Sequence, residues 1–190
     1  MIVDGLLLAA GAGTRMGRPK ALVVGADGTP WLRAALSRLH DGGCRRVTVV
    51  LGAAADEAAS LLDGAEAHVV VAADWAEGMS ASLRTGLAAL DPSADAALVT
   101  LVDLPDVTAE VIGRVGAAAT GPDVLARAAY DGTPGHPVLI GRDHWAGVIA
   151  TATGDQGARD YLKAREVVLV DCSDLATGRD VDTPARTSDA

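Results

Sequence analysis

The sequence predicts one α/β domain spanning residues 1–190, with a mostly parallel central sheet flanked by helices. Three observations carry that expectation. Apolar runs of strand length alternate with segments of helical periodicity, which is the order of βαβ units. The chain is 49% hydrophobic but only 3% aromatic, with no Phe, so its core has to be built from Val, Leu, Ile and Ala. Such a core suits a sheet covered by Ala-rich helices. Finally, 190 residues without a repeat, linker or low-complexity stretch suit a single domain.

The elements follow in order. Val3–Ala9 is a short apolar run that ends in glycines, the first strand. Trp31–His40 carries apolar residues at helical spacing and is closed by Gly42 and Gly43. Arg46–Leu51 reads as the second strand, Asp56–Leu62 as a short helix and His68–Ala73 as the third strand. Ser80–Leu90 is helical and Pro92 stops it. Ala96–Val102 is apolar throughout, as expected of a strand buried on both faces. Thr108–Ala119 is a helix, and Val124–Tyr130 and Pro137–Ile140 are two strands around a Gly/Pro loop. Asp155–Ala164 is a last helix, Val167–Val170 a last strand, and a polar tail from Ser173 carries Asp180–Pro184. In open sheets of this kind ligands bind beyond the carboxyl ends of the strands, and every motif below is expected in that kind of position.

Composition narrows the partners. A formal net charge of −9 argues against a general nucleic-acid binder, while one basic pocket in an acidic protein still accommodates a small anion. No apolar run reaches the roughly 18 residues of a membrane span. Asp4 precedes any Lys or Arg, so the start reads as a strand rather than a signal segment. Cys44 and Cys172 form no CxxC pair, and His40, His68, His136 and His144 have no zinc spacing. The expectation is reduced thiols and a cytoplasmic protein with neither nucleic-acid nor membrane partners.

The strongest signal is the run Leu8-Ala9-Ala10-Gly11-Ala12-Gly13-Thr14-Arg15-Met16-Gly17-Arg18-Pro19-Lys20, directly after the first strand. Glycines let a backbone approach a ligand and point N–H groups at phosphate oxygens. Arg15 can chelate a phosphate and Lys20 can add a point charge. A dinucleotide fingerprint would need glycine where Met16 stands, and a P-loop would need Lys where Arg18 stands.

This run resembles the signature of nucleotidyltransferases with a Rossmann-like, GT-A-type fold, among them sugar-phosphate nucleotidyltransferases and the molybdenum cofactor guanylyl- and cytidylyltransferases. The resemblance implies a Mg2+-dependent transfer from an NTP to a small phosphorylated acceptor. It also implies a nucleotide site at Ala9, Ala10, Gly11, Gly13, Thr14, Arg15 and Lys20, in which Gly11, Gly13, Arg15 and Lys20 meet the triphosphate, with Lys20, Arg15 and Asp103 as catalytic groups.

Asp103 follows the Ala96–Val102 strand, where an acid faces the ligand crevice. The alternative is a turn or N-cap acid before Thr108, a job that suits Asp106 better. Asp180 and Asp182 stand two apart and would point the same way in an extended segment, or would simply form a solvated acidic tail. The resemblance implies Asp103 and Asp182 as metal ligands, with Asp180 supporting. No Ser/His/Asp or Cys/His arrangement stands out, and in-line phosphoryl transfer needs no protein nucleophile.

The run Gly78-Met79-Ser80-Ala81-Ser82-Leu83 resembles the GMSxSL element of the molybdenum cofactor cytidylyltransferases. It implies nucleobase contacts from Ser80 and Ser82. The plainer reading makes Ser80 the helix N-cap, with Ser82 in the first turn. Gly135-His136-Pro137 and Gly154-Asp155-Gln156-Gly157-Ala158-Arg159 resemble acceptor-side elements of the same group, implying His136 and Asp155 as acceptor contacts. Leu8-Ala9-Ala10-Gly11 resembles the LAAG of the cytidylyltransferases rather than the LAGG of the guanylyltransferases, and the Ala10 methyl would narrow the base pocket toward a pyrimidine, which implies CTP. The acceptor so implied is a molybdopterin-type cofactor, with a molybdoenzyme as a further partner. Ala12-Gly13-Thr14 and Leu104 depart from the cytidylyltransferase pattern. They leave open another acceptor, such as a sugar phosphate, phosphocholine or phospholactate. A non-catalytic cofactor carrier is the remaining alternative.

Overall fold

A computed structural model describes residues 1–182. The Thr183-Pro184 end of the acidic tail element lies outside the described residues. Seven strands form one sheet: β1 (Val3–Ala9), β2 (Val47–Leu51), β3 (His68–Val71), β4 (Ala96–Leu101), β5 (Leu125–Tyr130), β6 (Thr133–Gly141) and β7 (Val168–Asp171). Their order across the sheet is β3-β2-β1-β4-β6-β5-β7. β6 runs antiparallel to both β4 and β5, and every other pairing is parallel. The expected single α/β fold with a mostly parallel sheet is thus observed.

Helices cover both faces. They are α1 (Trp31–Asp41), α2 (Ala55–Ser60), α3 (Met79–Ala88), α4 (Ala109–Gly116), α5 (Arg142–Thr151) and α6 (Arg159–Lys163). Strand residues alternate between two cores. Leu7 and Ala9 of β1 join the core beneath α1, α2 and α4, whereas Leu6 and Leu8 join the core beneath α3, α5 and α6. Leu98 and Leu139 have no exposed surface, and trimming either to Ala would cost about 2–5 kcal/mol.

Three sequence expectations change. α5 occupies a segment left unassigned, because only Trp145 and Val148 of its ten residues are buried and its apolar face is poorly marked. The expected Asp155–Ala164 helix is two pieces, a 3-10 turn over Gly154–Gln156 and then α6, divided at Gly157, whose φ of +55° is outside the helical range. β6 starts at Thr133, four residues before Pro137, and takes in the loop that was expected to precede it.

The chain leaves β1 toward β2 and β3 and returns on the other side of β1 as β4. The crevice between the carboxyl ends of β1 and β4 is therefore the point where strand order reverses, the place such sheets offer a ligand.

Candidate active site

The glycine loop leaves β1 at that crevice. Gly13 sits at φ +60°, and a Cβ there would lie 2.0 Å from the carbonyl oxygen of Arg18, so only glycine permits this turn. The turn brings Lys20 back over the end of β4. Its Nζ bonds Asp103 Oδ2 and lies 2.6 Å from Asp182 Oδ1. Arg15 reaches the same acid from the solvent side, with Nη1 2.7 Å from Asp182 Oδ2.

Asp182 arrives by a separate route. The segment after β7 returns along the sheet's carboxyl edge and is fastened at three points. Arg114 of α4 pairs with Asp174 and donates to the carbonyl of Asp171. Asp106 Oδ2 accepts from both the N–H and the hydroxyl of Thr177, at 2.7 and 2.5 Å. The Val181 N–H donates to the Asp103 carbonyl at 3.0 Å. Asp106 therefore ties down this segment rather than capping α4, whose N-cap is Thr108 without a side-chain bond. The Asp103 loop is itself clamped by Arg38 of α1, whose Nη1 donates to the carbonyls of Leu104, Pro105 and Val107.

The result is three carboxylates, Asp103, Asp180 and Asp182, each offering an oxygen within 4.8 Å of the others. Asp103 is buried and Asp180 exposed, so the cluster spans the cavity wall. Burial works to lower the Lys20 pKa, but its bonds to Asp103 and Asp182 and their charges outweigh this and raise it. Asp182 is held below its ordinary value by the Lys20 hydrogen bond and charge, with Arg15 adding to the effect. An all-carboxylate donor set matches a hard cation such as Mg2+ or Mn2+, and the position taken by Lys20 shows that a positive charge fits between these oxygens.

Two cavities open here. The first, about 580 Å³, is lined by Ala9, Ala10, Gly11, Gly13, Thr14, Arg15, Lys20, Ser82, Asp103 and Asp182. All of these were singled out from the sequence. The second, about 670 Å³, holds His136. Asp155 borders both cavities, and its Oδ1 accepts from the Met79 N–H at 3.3 Å.

Ser80 is placed differently from expectation. The N-cap of α3 is Gly78, not Ser80, and no side chain caps it. Ser80 is fully buried and its hydroxyl accepts from the Gly157 N–H at 3.1 Å. It fixes α3 against the loop before α6 and has no surface for a base. Ser82, one face over, does reach the first cavity.

His136, half-buried, has its pKa pushed down to about 4, chiefly by burial and then by the Arg127 charge. It is a neutral imidazole at pH 7.

Two lining residues were missed. Trp75 walls the first cavity, and a Trp in a chain this poor in aromatics, just before Gly78-Met79, was the available signal. Arg127 lines the second cavity, and it was visible as a lone charge in the otherwise apolar run Val124–Tyr130.

No described helix is long and apolar enough to cross a membrane. The MobA-like NTP transferase domain family matches residues 5–168. Among relatives, the chain is 38% identical over 191 residues to the nicotine blue oxidoreductase of Paenarthrobacter nicotinovorans, covering 95% of this chain and 92% of that one. Among solved structures, it resembles Rv0371c of Mycobacterium tuberculosis H37Rv, with TM-score 0.77 and 30% identity, covering 96% of this chain and 94% of that one. A manganese complex of Rv0371c gives TM-score 0.72 at 26% identity, with 90% and 88% covered. With a family match over most of its length and a close relative over nearly all of it, the chain belongs to the MobA-like NTP transferase domain family.

Proposed function

We propose that this protein transfers a cytidylyl group from CTP to a phosphorylated acceptor, a molybdopterin-type cofactor, in a Mg2+-dependent reaction that releases pyrophosphate. One observation carries the reading. A glycine loop, a half-buried lysine and carboxylates from two distant parts of the chain, Asp103 and the Asp180/Asp182 pair, converge on one cavity at the switch point of the sheet.

The roles follow from position. Loop N–H groups from Gly11 to Thr14 and the Arg15 guanidinium hold the triphosphate. Ala10 and Trp75 shape the base end, where the Ala10 methyl leaves less room than a glycine and favours a pyrimidine. Asp103 and Asp182 would hold a divalent cation, with Asp180 beside them, and a manganese complex of the similar Rv0371c supports a divalent-metal requirement. The cation, when bound, neutralises the triphosphate and polarises the α-phosphate.

Lys20 leaves the carboxylates and turns to the α-phosphate. There it offsets the charge that grows as an acceptor phosphate oxygen bonds to phosphorus and the bond to the bridging oxygen breaks. The acceptor enters from the second cavity past Asp155 and His136. A docked molybdoenzyme would then collect the product.

The test is pyrophosphate release with each of the four NTPs and a panel of acceptors, including molybdenum-loaded molybdopterin. Release with CTP only in the presence of that cofactor is the expected result. Release with a sugar phosphate would keep the site and replace the acceptor.

A second reading has one observation in its favour, the 38% identity to an oxidoreductase acting on nicotine blue. On that reading the loop cavity holds a nucleotide cofactor and the apolar cavity an aromatic dye. Redox turnover of nicotine blue with an added two-electron partner, with no pyrophosphate release from any NTP, would establish it in place of the first.

A further inference from the structure

Strand β5 carries a charge where its neighbours carry apolar groups. Leu125 faces the core under α3, α5 and α6, and Ala126 and Ala128 face the opposite core. By alternation Arg127 falls on the face of Leu125, with Val138 of β6 and Leu169 of β7 as its register partners. The side chain lines the second cavity among Leu83, Val99, Val138 and Ile140.

Arg127 has little to balance it. Its Nε donates to the Gly135 carbonyl at 3.1 Å. Among the described residues neither Nη nitrogen has a protein partner and no carboxylate pairs with the guanidinium. Burial pulls its pKa below the ordinary value with nothing opposing. A guanidinium held half out of water without an anion costs stability. Beside it stands His136, which lines the same cavity. Arg159, Lys163 and Arg165 line the outer part of the cavity and are exposed. The cavity is aliphatic at its floor, and Arg127, Arg159, Lys163 and Arg165 outnumber the single carboxylate at its border, that of Asp155.

We infer that Arg127 makes the second cavity a receptor for an anionic group carried on an apolar body. If the transferase reading above is right, that ligand is the acceptor, held by a charge separate from the phosphate that attacks. The Nη pair offers a fork to a carboxylate, phosphate, sulfonate or thiolate-type anion. The aliphatic floor takes the body between the two charges. An acceptor with a single phosphate on a polar sugar would leave both features unused.

The experiment uses two dyes with the same aromatic body, anilinonaphthalene sulfonate and its uncharged analogue phenylnaphthylamine. Fluorescence titrations would be run on the full chain and on the variants Arg127→Met and Arg127→Lys. In the wild type the sulfonate dye should bind more tightly than the neutral one. Arg127→Met should weaken the sulfonate dye roughly tenfold to a hundredfold, the range of a hydrogen-bonded charge. It should leave the neutral dye unchanged, and Arg127→Lys should fall between.

Arg127→Met should also raise Tm by about 2–4 °C, as removal of an unpaired buried charge does, which separates lost binding from lost folding. Equal sulfonate affinity in wild type and Arg127→Met would overturn the inference, and so would no sulfonate binding by the wild type. CTP and Mn2+ binding by the same proteins reports on the transferase reading alone. Lost CTP binding with intact Arg127-dependent dye binding would sink that reading and leave this one.

Discussion

Lys20 Nζ lies 2.6 Å from Asp182 Oδ1 and at the same time bonds Asp103, so one lysine joins the two acids proposed above as metal ligands. The side chain of Lys20 is 18% exposed and that of Asp103 11%, so that contact is only weakly screened by solvent, whereas Asp182 is 38% exposed and its contact is screened more. On the proposed reading Lys20 acts as a stand-in cation that an entering metal ion would displace, and the displaced amine would then meet the triphosphate. Lys20→Ala should tighten Mn2+ binding in the absence of nucleotide roughly fivefold to tenfold, as a competing charge-assisted bond is removed. The same variant should lower turnover by about a hundredfold or more. Calorimetric or spin-resonance titration with Mn2+ checks the first part, and weaker Mn2+ binding by the variant would show that Lys20 does not compete.

The segment that delivers Asp182 depends on a latch outside the carboxylate cluster. Asp106 and Thr177 are 71 residues apart, and their two bonds at 2.7 and 2.5 Å hold the return path over the sheet edge. Thr177→Val removes the hydroxyl bond, at about 1 kcal/mol, and keeps the side-chain shape. Mn2+ affinity should fall a few-fold while Tm changes little, and Thr177→Ser should restore the affinity. A merely structural contact would lower Tm and leave Mn2+ affinity as it was.

Ala10 tests the choice of base. It is buried just past the end of β1 and lines the loop cavity together with Trp75, with Gly52 packed against both. Ala10→Gly should reduce the preference for CTP over GTP roughly tenfold, the scale on which a methyl group discriminates. The ratio of kcat/KM values for the two nucleotides measures this, and an unchanged ratio would remove Ala10 from base selection.

How much could be seen in the sequence depends on how local each feature is. The glycine loop, Lys20 and Asp103 sit at the ends of strands whose apolar runs are unmistakable, so their position over the crevice could be anticipated. Asp182 was reachable through its spacing from Asp180 and the family resemblance, but its latch was not, because Asp106 meets Thr177 only after the whole sheet has formed. Apolar periodicity marks a strand without saying which strand pairs with it. The antiparallel insertion of β6 between β4 and β5 therefore had no local signature. Ser80 looked like a cap because serine commonly is one, yet Gly78 takes that role and the Ser80 hydroxyl is used by Gly157, 77 residues on. Arg127 was legible in principle, since a lone charge on a buried strand needs a reason.

His136 gives the fold a defined response to acid. Burial, and then the neighbouring Arg127 charge, push its pKa from 6.5 down to about 4. Between those values the unfolded chain holds a proton that the folded chain refuses, so stability falls as pH drops. The contribution is fully present above about pH 6.5, declines as pH falls toward 4, and changes no further below that. Its ceiling is about 3 kcal/mol. His136→Gln removes the titrating ring and should flatten this part of the curve. Urea unfolding at neutral pH and near pH 4 should give a wild-type-minus-variant difference that shrinks on acidification. Carboxylates titrating in the same window are common to both proteins and cancel in that difference. A constant difference across the range would mean that His136 protonates as readily in the folded chain as in the unfolded one, and that the second cavity is wetter than its aliphatic floor implies.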